Sequence, residues 1–209
     1  MNIIDAINDP RLFAPVFRDA RSWQAWFAFL SALFGLSMDV EQRRIFTQCT
    51  HRTDRPNSPA REAWLVIGRR GGKSFVLALV AVFLGCFFDW RPYLGPGERG
   101  TIMIIAADRK QARVILRYVK GLLQTVPMLK KLIETERAEG IDLSNRISVE
   151  VHTASFRAVR GYSVVAALLD EVAFWPSEDS ANPDIETLSA IRPAMATIPR
   201  AMLLCASSP

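Results

Sequence analysis

Apolar and polar positions along the chain follow two periods, and the changes between them mark the elements. Residues 11–50 read as helical: "RSWQAWFAFLSALFG" is rich in aromatics, and "SMDVEQRRIFTQ" opens at Ser37 with Glu41 and Gln42 in its first turns. The loop "THRTDRPNSPARE" then delivers the chain to a strand at Ala63 to Ile67. Beyond the turn "GRRGGKS" a helix is expected to about Phe88, followed by the Pro- and Gly-rich loop "DWRPYLGPGERG". "TIMIIAA" is a short apolar run bounded by turn signals, hence a buried strand. In "DRKQARVILRYVKGLLQTVPMLKKLIE", Val114, Ile115, Tyr118, Val119, Leu122 and Leu123 recur at helical spacing, and Pro127 breaks the run. "RISVEVHTA" alternates as a half-buried strand does. "SVVAALLDEVAFW" is a fully apolar strand ending in two acids, "ETLSAIRPAMAT" a helix and "AMLLCASSP" a last strand. Strands alternating with helices predict an α/β fold, a mostly parallel sheet covered on both faces. The expected organisation is a helical segment at 1–50 and an α/β core at 51–209.

Composition changes this picture little. The 209 residues suffice for one sizeable α/β domain. Half of them are apolar and 22% charged, which argues against disorder. A net charge of +5 and a pI near 9.4 allow a polyanionic partner without requiring one. Cys49, Cys86 and Cys205 are odd in number and far apart, fitting neither a disulfide framework nor metal-ligand spacing, and read as reduced intracellular thiols. The start "MNIIDAINDPR" has acids where a signal peptide carries basic residues. Phe75 to Phe88 is the longest membrane-like stretch, and its 14 residues fall short of a span, which takes about 20. It reads as a buried helix.

Candidate chemistry concentrates at two places. In "GRRGGKS", Gly71 and Gly72 permit backbone angles and close approach that side chains forbid, Lys73 can reach outer phosphates, and the Ser74 hydroxyl can ligate Mg²⁺. The pattern G-x-x-x-x-G-K-[ST] would put its first glycine at Ile67, whereas Gly68 comes one residue late, so this loop is a shortened variant. In "ALLDEVAFW", Asp170 can hold a Mg²⁺ shell and Glu171 can orient or deprotonate an attacking water. Arg69 and Arg70 can offer a planar fork to transition-state charge on a phosphoryl group. Each has a plainer reading: a glycine turn with a chance lysine, two acids marking a strand end, and a solvated basic loop.

Taken together, four stretches resemble the ATPase half of the large terminase subunit of tailed bacteriophages. "GRRGGKS" looks like that family's shortened Walker A, in which an arginine stands three residues before the glycine-lysine pair, the place of Arg69. "FRAVRGYSVVAALLDEVAFW" looks like its Walker B region, "AADRKQARVIL" is similar to the segment after its second strand, and "LLCASSP" to its coupling motif. The resemblance spans roughly residues 36–209 and implies a P-loop NTPase fold of the ASCE (RecA-like) type, with Mg²⁺-dependent ATP hydrolysis. It implies a nucleotide site of Gly68, Arg69, Arg70, Gly71, Gly72, Lys73 and Ser74, and a metal site of Ser74 and Asp170. Glu171, Lys73 and Arg69 would be catalytic, with Arg160 a finger reaching into a neighbour's site. Gln42 would contact adenine, and Ala206, Ser207 and Ser208 would relay nucleotide state. The implied partners are double-stranded DNA, the portal protein and the small terminase subunit, in a pentameric ring in the cytoplasm of a bacterial host, with no membrane. The family's nuclease domain has no counterpart in these residues and its ATPase fold continues past the place matching Pro209, so a fragment is expected. The alternatives are a truncated relic or assembly module that binds nucleotide without turnover, and a helicase-like P-loop protein. The helicase acid box would put an Asp near Ala173.

Overall fold

In the computed structural model, which describes residues 1–154, 161–175 and 183–209, the chain divides into the units Met1–Arg61 and Glu62–Pro209. The first is helical: α1 (Ile3–Asn8), a 3-10 turn (Ala20–Trp23), α2 (Gln24–Leu33) and α3 (Val40–Thr50). Helix α1 lies ahead of the span read as helical, and a capping box starts it: Asn2 Oδ1 accepts the Asp5 N–H and Asp5 Oδ2 accepts the Asn2 N–H, both at 2.9 Å. Helix α3 begins two residues later than Ser37 would have it. Asp39 is its cap, accepting the Gln42 N–H at 2.8 Å, while Gln42 Oε1 accepts the Asp39 N–H at 3.3 Å. A carboxylate at this place also opposes the positive end of the helix dipole, an advantage a serine lacks. The unit closes over Phe13, Phe17, Trp26, Phe27, Leu30 and Leu33, all buried.

The second unit is built on seven strands: β1 (Glu62–Val66), β2 (Gly100–Ala106), β3 (Ile133–Arg137), β4 (Gly140–Leu143), β5 (Ile147–Thr153), β6 (Ser163–Asp170) and β7 (Met202–Ser207). Their spatial order is β1-β7-β6-β2-β5-β4-β3, parallel from β1 to β5 and antiparallel from β5 to β3. Helices α4 (Lys73–Phe87) and α5 (Arg109–Thr125) pack on each other and on the sheet, and α7 (Pro183–Met195) packs on β6. Strand β2 is buried at every position and β6 at all but its first, as strands covered on both faces must be. Helix α4 is the uncharged run expected to be buried, and Val76 to Gly85 are all inaccessible. No helix among the described residues is long and apolar enough to cross a membrane.

The hairpin β3–β4 has no counterpart in the sequence reading, which breaks the helical run at Pro127 and assigns no strand before "RISVEVHTA". Helix α5 stops at Thr125, because Val126 precedes a proline and takes extended angles (φ −101°, ψ 109°). One short helix, α6 (Pro127–Lys130), follows and the chain then turns back. Strand β3 is exposed at every position after Ile133, so it has no apolar face to betray it. Pairing with β4 makes it a strand, and Arg137 reinforces it with contacts to Asp142 at 2.7 Å and Glu150 at 3.3 Å. Charged edge strands of this kind resist pairing with other chains.

Candidate functional site

The parallel register brings the carboxyl ends of three strands to one place. Ala206 of β7 stands between Leu65 of β1 and Asp170 of β6, and the Ile67 N–H donates to the Ser207 carbonyl at 2.9 Å. The loop after β1, the acids at the end of β6 and the hydroxyls at the end of β7 therefore converge, where ligands of such sheets collect.

Two left-handed residues shape the loop, Arg70 (φ 62°) and Gly72 (φ 85°). The Gly71 N–H closes a turn onto the Gly68 carbonyl at 3.1 Å. A Cβ on Gly71 would stand 2.7 Å from Ile67 Cγ2 and 3.0 Å from the Gly68 carbonyl oxygen, so the turn needs glycine there, whereas Gly68 faces open space. Arg70 takes its conformation at a cost of about 1–2 kcal/mol, since it carries a Cβ. Gly72 is the N-cap of α4 and gives it no side-chain cap, so the helix starts at the positive end of its dipole without a side-chain acceptor, an arrangement that favours an anion. Arg69 and Arg70 are exposed on this rim and form no ion pair among the described residues.

Lys73, the first residue of α4, is buried among opposite charges. Its Nζ lies 2.5 Å from Glu171 Oε1 and 3.4 Å from Asp170 Oδ1, and donates to Ser208 Oγ at 3.4 Å. Glu171 is gripped from the other side: its Oε2 accepts the Ser208 N–H at 2.7 Å and its Oε1 accepts the Ser208 hydroxyl at 2.8 Å. Burial pushes the Glu171 carboxyl up, but Lys73 and the two Ser208 donors outweigh it and hold the group below its usual value. Asp170 goes the other way. Burial raises its carboxyl, the Lys73 cation only partly offsets this, and the charge of Glu171 adds to the rise. Asp170 Oδ1 is buried, and its charge partner is the Lys73 ammonium 3.4 Å away. Glu171 itself holds left-handed angles (φ 52°, ψ 45°), fixed by two contacts just beyond it: the Trp175 indole N–H donates to the Asp170 carbonyl at 3.0 Å, and the Ala173 N–H to Ser207 Oγ at 3.3 Å. A non-glycine residue held so against its preference is a mark of functional sites.

The buried Asp170 carboxylate and the Ser74 hydroxyl at the start of α4 are oxygen donors of the kind a hard divalent cation such as Mg²⁺ takes. Among the described residues no cluster of three or more His, Cys, Asp or Glu offers a competing metal site.

A cavity of about 330 Å³ opens over the loop, bounded by Gly68 to Ser74, Glu171 and Ser208. Three further lining residues were not anticipated: Phe75 of α4 and Val114 and Tyr118 of α5. Tyr118 fell into the core-facing spacing of α5, yet its side is 45% exposed and lies on the cavity. Of the residues singled out in the sequence, Gly68 to Ser74, Asp170, Glu171, Ala206, Ser207 and Ser208 come together here. Gln42 belongs to the helical unit, where its side-chain oxygen is engaged in the α3 capping box. Arg160 lies outside the described residues.

Residues 64–183 match the family described as terminase large subunit, T4likevirus-type, N-terminal. No curated protein matches the chain in sequence. Among solved structures, the large terminase of bacteriophage HK97 superposes with a TM-score of 0.55 at 16% identity, over 90% of this chain and 37% of that one. The ATPase domain of the large terminase of Thermus phage P74-26 superposes with a TM-score of 0.54 at 20% identity, over 87% of this chain and 68% of that one. The chain thus spans little more than a third of the HK97 protein. At these identities the likeness is one of fold, and the fold is the α/β P-loop type.

Proposed function

The chain belongs to the terminase large subunit family, T4likevirus-type, N-terminal, and on that premise we infer that it is the ATP-hydrolysing motor module of a phage DNA-packaging machine. One observation carries the reading: Lys73, at the open start of α4, is held 2.5 Å from Glu171 and 3.4 Å from Asp170. A triphosphate laid over Gly71 to Ser74 competes with Glu171 for the ammonium group. Lys73 then turns to the outer phosphates, and the released Glu171 is free to take the proton of an attacking water. Arg69 offers its guanidinium to the charge that builds on the transferred phosphoryl group. Mg²⁺, held by Ser74 and Asp170, would neutralise phosphate charge when bound.

Ser208 grips Glu171 through both N–H and hydroxyl, so freeing the carboxylate also frees the end of β7. That is how Ala206, Ser207 and Ser208 would relay nucleotide state. Arg160 would complete a neighbouring subunit's site and Gln42 would reach adenine, both on family resemblance. The double-stranded DNA partner is supported by α5, which carries Lys110, Arg113, Arg117 and Lys120 around one cavity. A pentameric ring, a portal, a small subunit and the host cytoplasm complete the proposed setting.

The test is ATP binding and turnover by the purified chain with Mg²⁺. Lys73→Ala should lower turnover by about 100-fold or more, and Glu171→Gln should abolish turnover while keeping ATP bound. Intact turnover in Lys73→Ala would sink the reading. The double grip on Glu171 favours one other reading, a module that binds nucleotide without hydrolysing it. Binding by the unaltered chain with no turnover would select that one.

A further inference from the structure

We propose that Tyr118, with Val114 and Phe75 beside it, is the wall against which the nucleotide base stacks. This rests on the nucleotide reading of the site and adds the subsite that reading leaves blank. A nucleoside triphosphate is a polyanion at one end and a flat aromatic ring at the other, and the cavity lining offers a surface for each. Lys73, Arg69, Arg70 and the start of α4 line it with positive charge, while Val114, Tyr118 and Phe75 line the same space with apolar and aromatic surface. Phe75 is two residues beyond Lys73 on α4, a rise of about 3 Å along the helix.

The aromatic wall is preorganised. Phe75 and Tyr118 meet edge to face, centroids 5.6 Å apart at 90°, which fixes the tyrosine ring without covering it. Tyr118 stays 45% exposed, although Val119 and Ile115 on the same helix are fully buried. Gln42, the residue first expected at the base, has its side-chain oxygen engaged in capping α3. Stacking on an aromatic face tolerates any base, so this wall adds affinity without choosing adenine over guanine.

The experiment compares Mg²⁺-ATP with inorganic triphosphate, which has no base, on the full chain. Tyr118→Ala should weaken ATP binding by about fivefold or more while leaving inorganic triphosphate within about twofold, and Tyr118→Phe should restore ATP. Unchanged ATP binding in Tyr118→Ala, or parallel loss of both ligands, would overturn the stacking wall. Inorganic triphosphate binding to the unaltered chain as tightly as ATP would also overturn it, leaving the phosphate loop intact. An unaltered chain that binds neither ligand overturns the nucleotide reading itself.

Discussion

Asp170 and Glu171 are adjacent and chemically alike, yet their surroundings push them apart. Glu171 is held by Lys73 and Ser208, which lower its carboxyl; Asp170 is more deeply buried, and burial raises its carboxyl despite Lys73. For Asp170, the folded carboxyl titrates above its unfolded value, so its charge weakens the fold above that raised pKa, and the penalty is relieved as pH falls through it. For Glu171 the sign reverses: its contribution is present above the unfolded value and lost as pH falls through the lowered one. Asp170→Asn should therefore stabilise the nucleotide-free chain by about 1 kcal/mol, roughly 2–4 °C in Tm for a chain of this size, while impairing Mg²⁺-dependent turnover. A lower Tm in a thermal melt would show instead that its charge holds the site together. The identities of both acids were legible in the sequence. The opposite directions of their shifts were not, because the lowering of Glu171 depends in part on Ser208, 37 residues away in the chain.

Helix α5 serves two surfaces. Its Val114 and Tyr118 face the cavity over the glycine loop, while Lys110, Arg113, Arg117 and Lys120 line a second cavity of about 360 Å³ beside the β3–β4 turn. Two of those cations are partly neutralised, Arg113 by Glu139 at 2.6 Å and Lys120 by Glu136 at 3.6 Å. Lys110 and Arg117 form no ion pair among the described residues. Replacing both with glutamate should weaken DNA binding and flatten its dependence on salt, since each phosphate contact contributes about one unit to the slope. An unchanged slope in a titration from low to moderate salt would remove α5 from the DNA path. The helical period of α5 was plain from its apolar residues. The hairpin that follows was hidden, because β3 is polar throughout and owes its form to pairing with β4.

Across the second unit, stability is graded from the centre of the sheet to its edges. Strands β2 and β6 are buried on both faces, whereas β1 at one edge leaves Trp64 56% and Val66 74% exposed, and β3 at the other is exposed at four of its five positions. Amide hydrogen exchange should be slowest in β2 and β6 and markedly faster in β1 and β3, because local opening costs least where few apolar contacts must break. Equal protection across the sheet would contradict this grading. The glycine loop springs from the edge strand β1, so the site joins a firm centre, Asp170 and Glu171 at the end of β6, to a more yielding border.

What the sequence determined by itself was local: helical and strand periods, a glycine turn carrying Lys73 and Ser74, and acids closing an apolar strand. These follow from backbone preferences and side-chain spacing over a few residues. The tertiary structure decided everything that depends on register and packing. It set β7 between β1 and β6, which puts Ser208 onto Glu171 and both onto Lys73. It also turned Tyr118 out of the core and onto the cavity, because the start of α4 leaves a gap beside it that spacing along α5 cannot report.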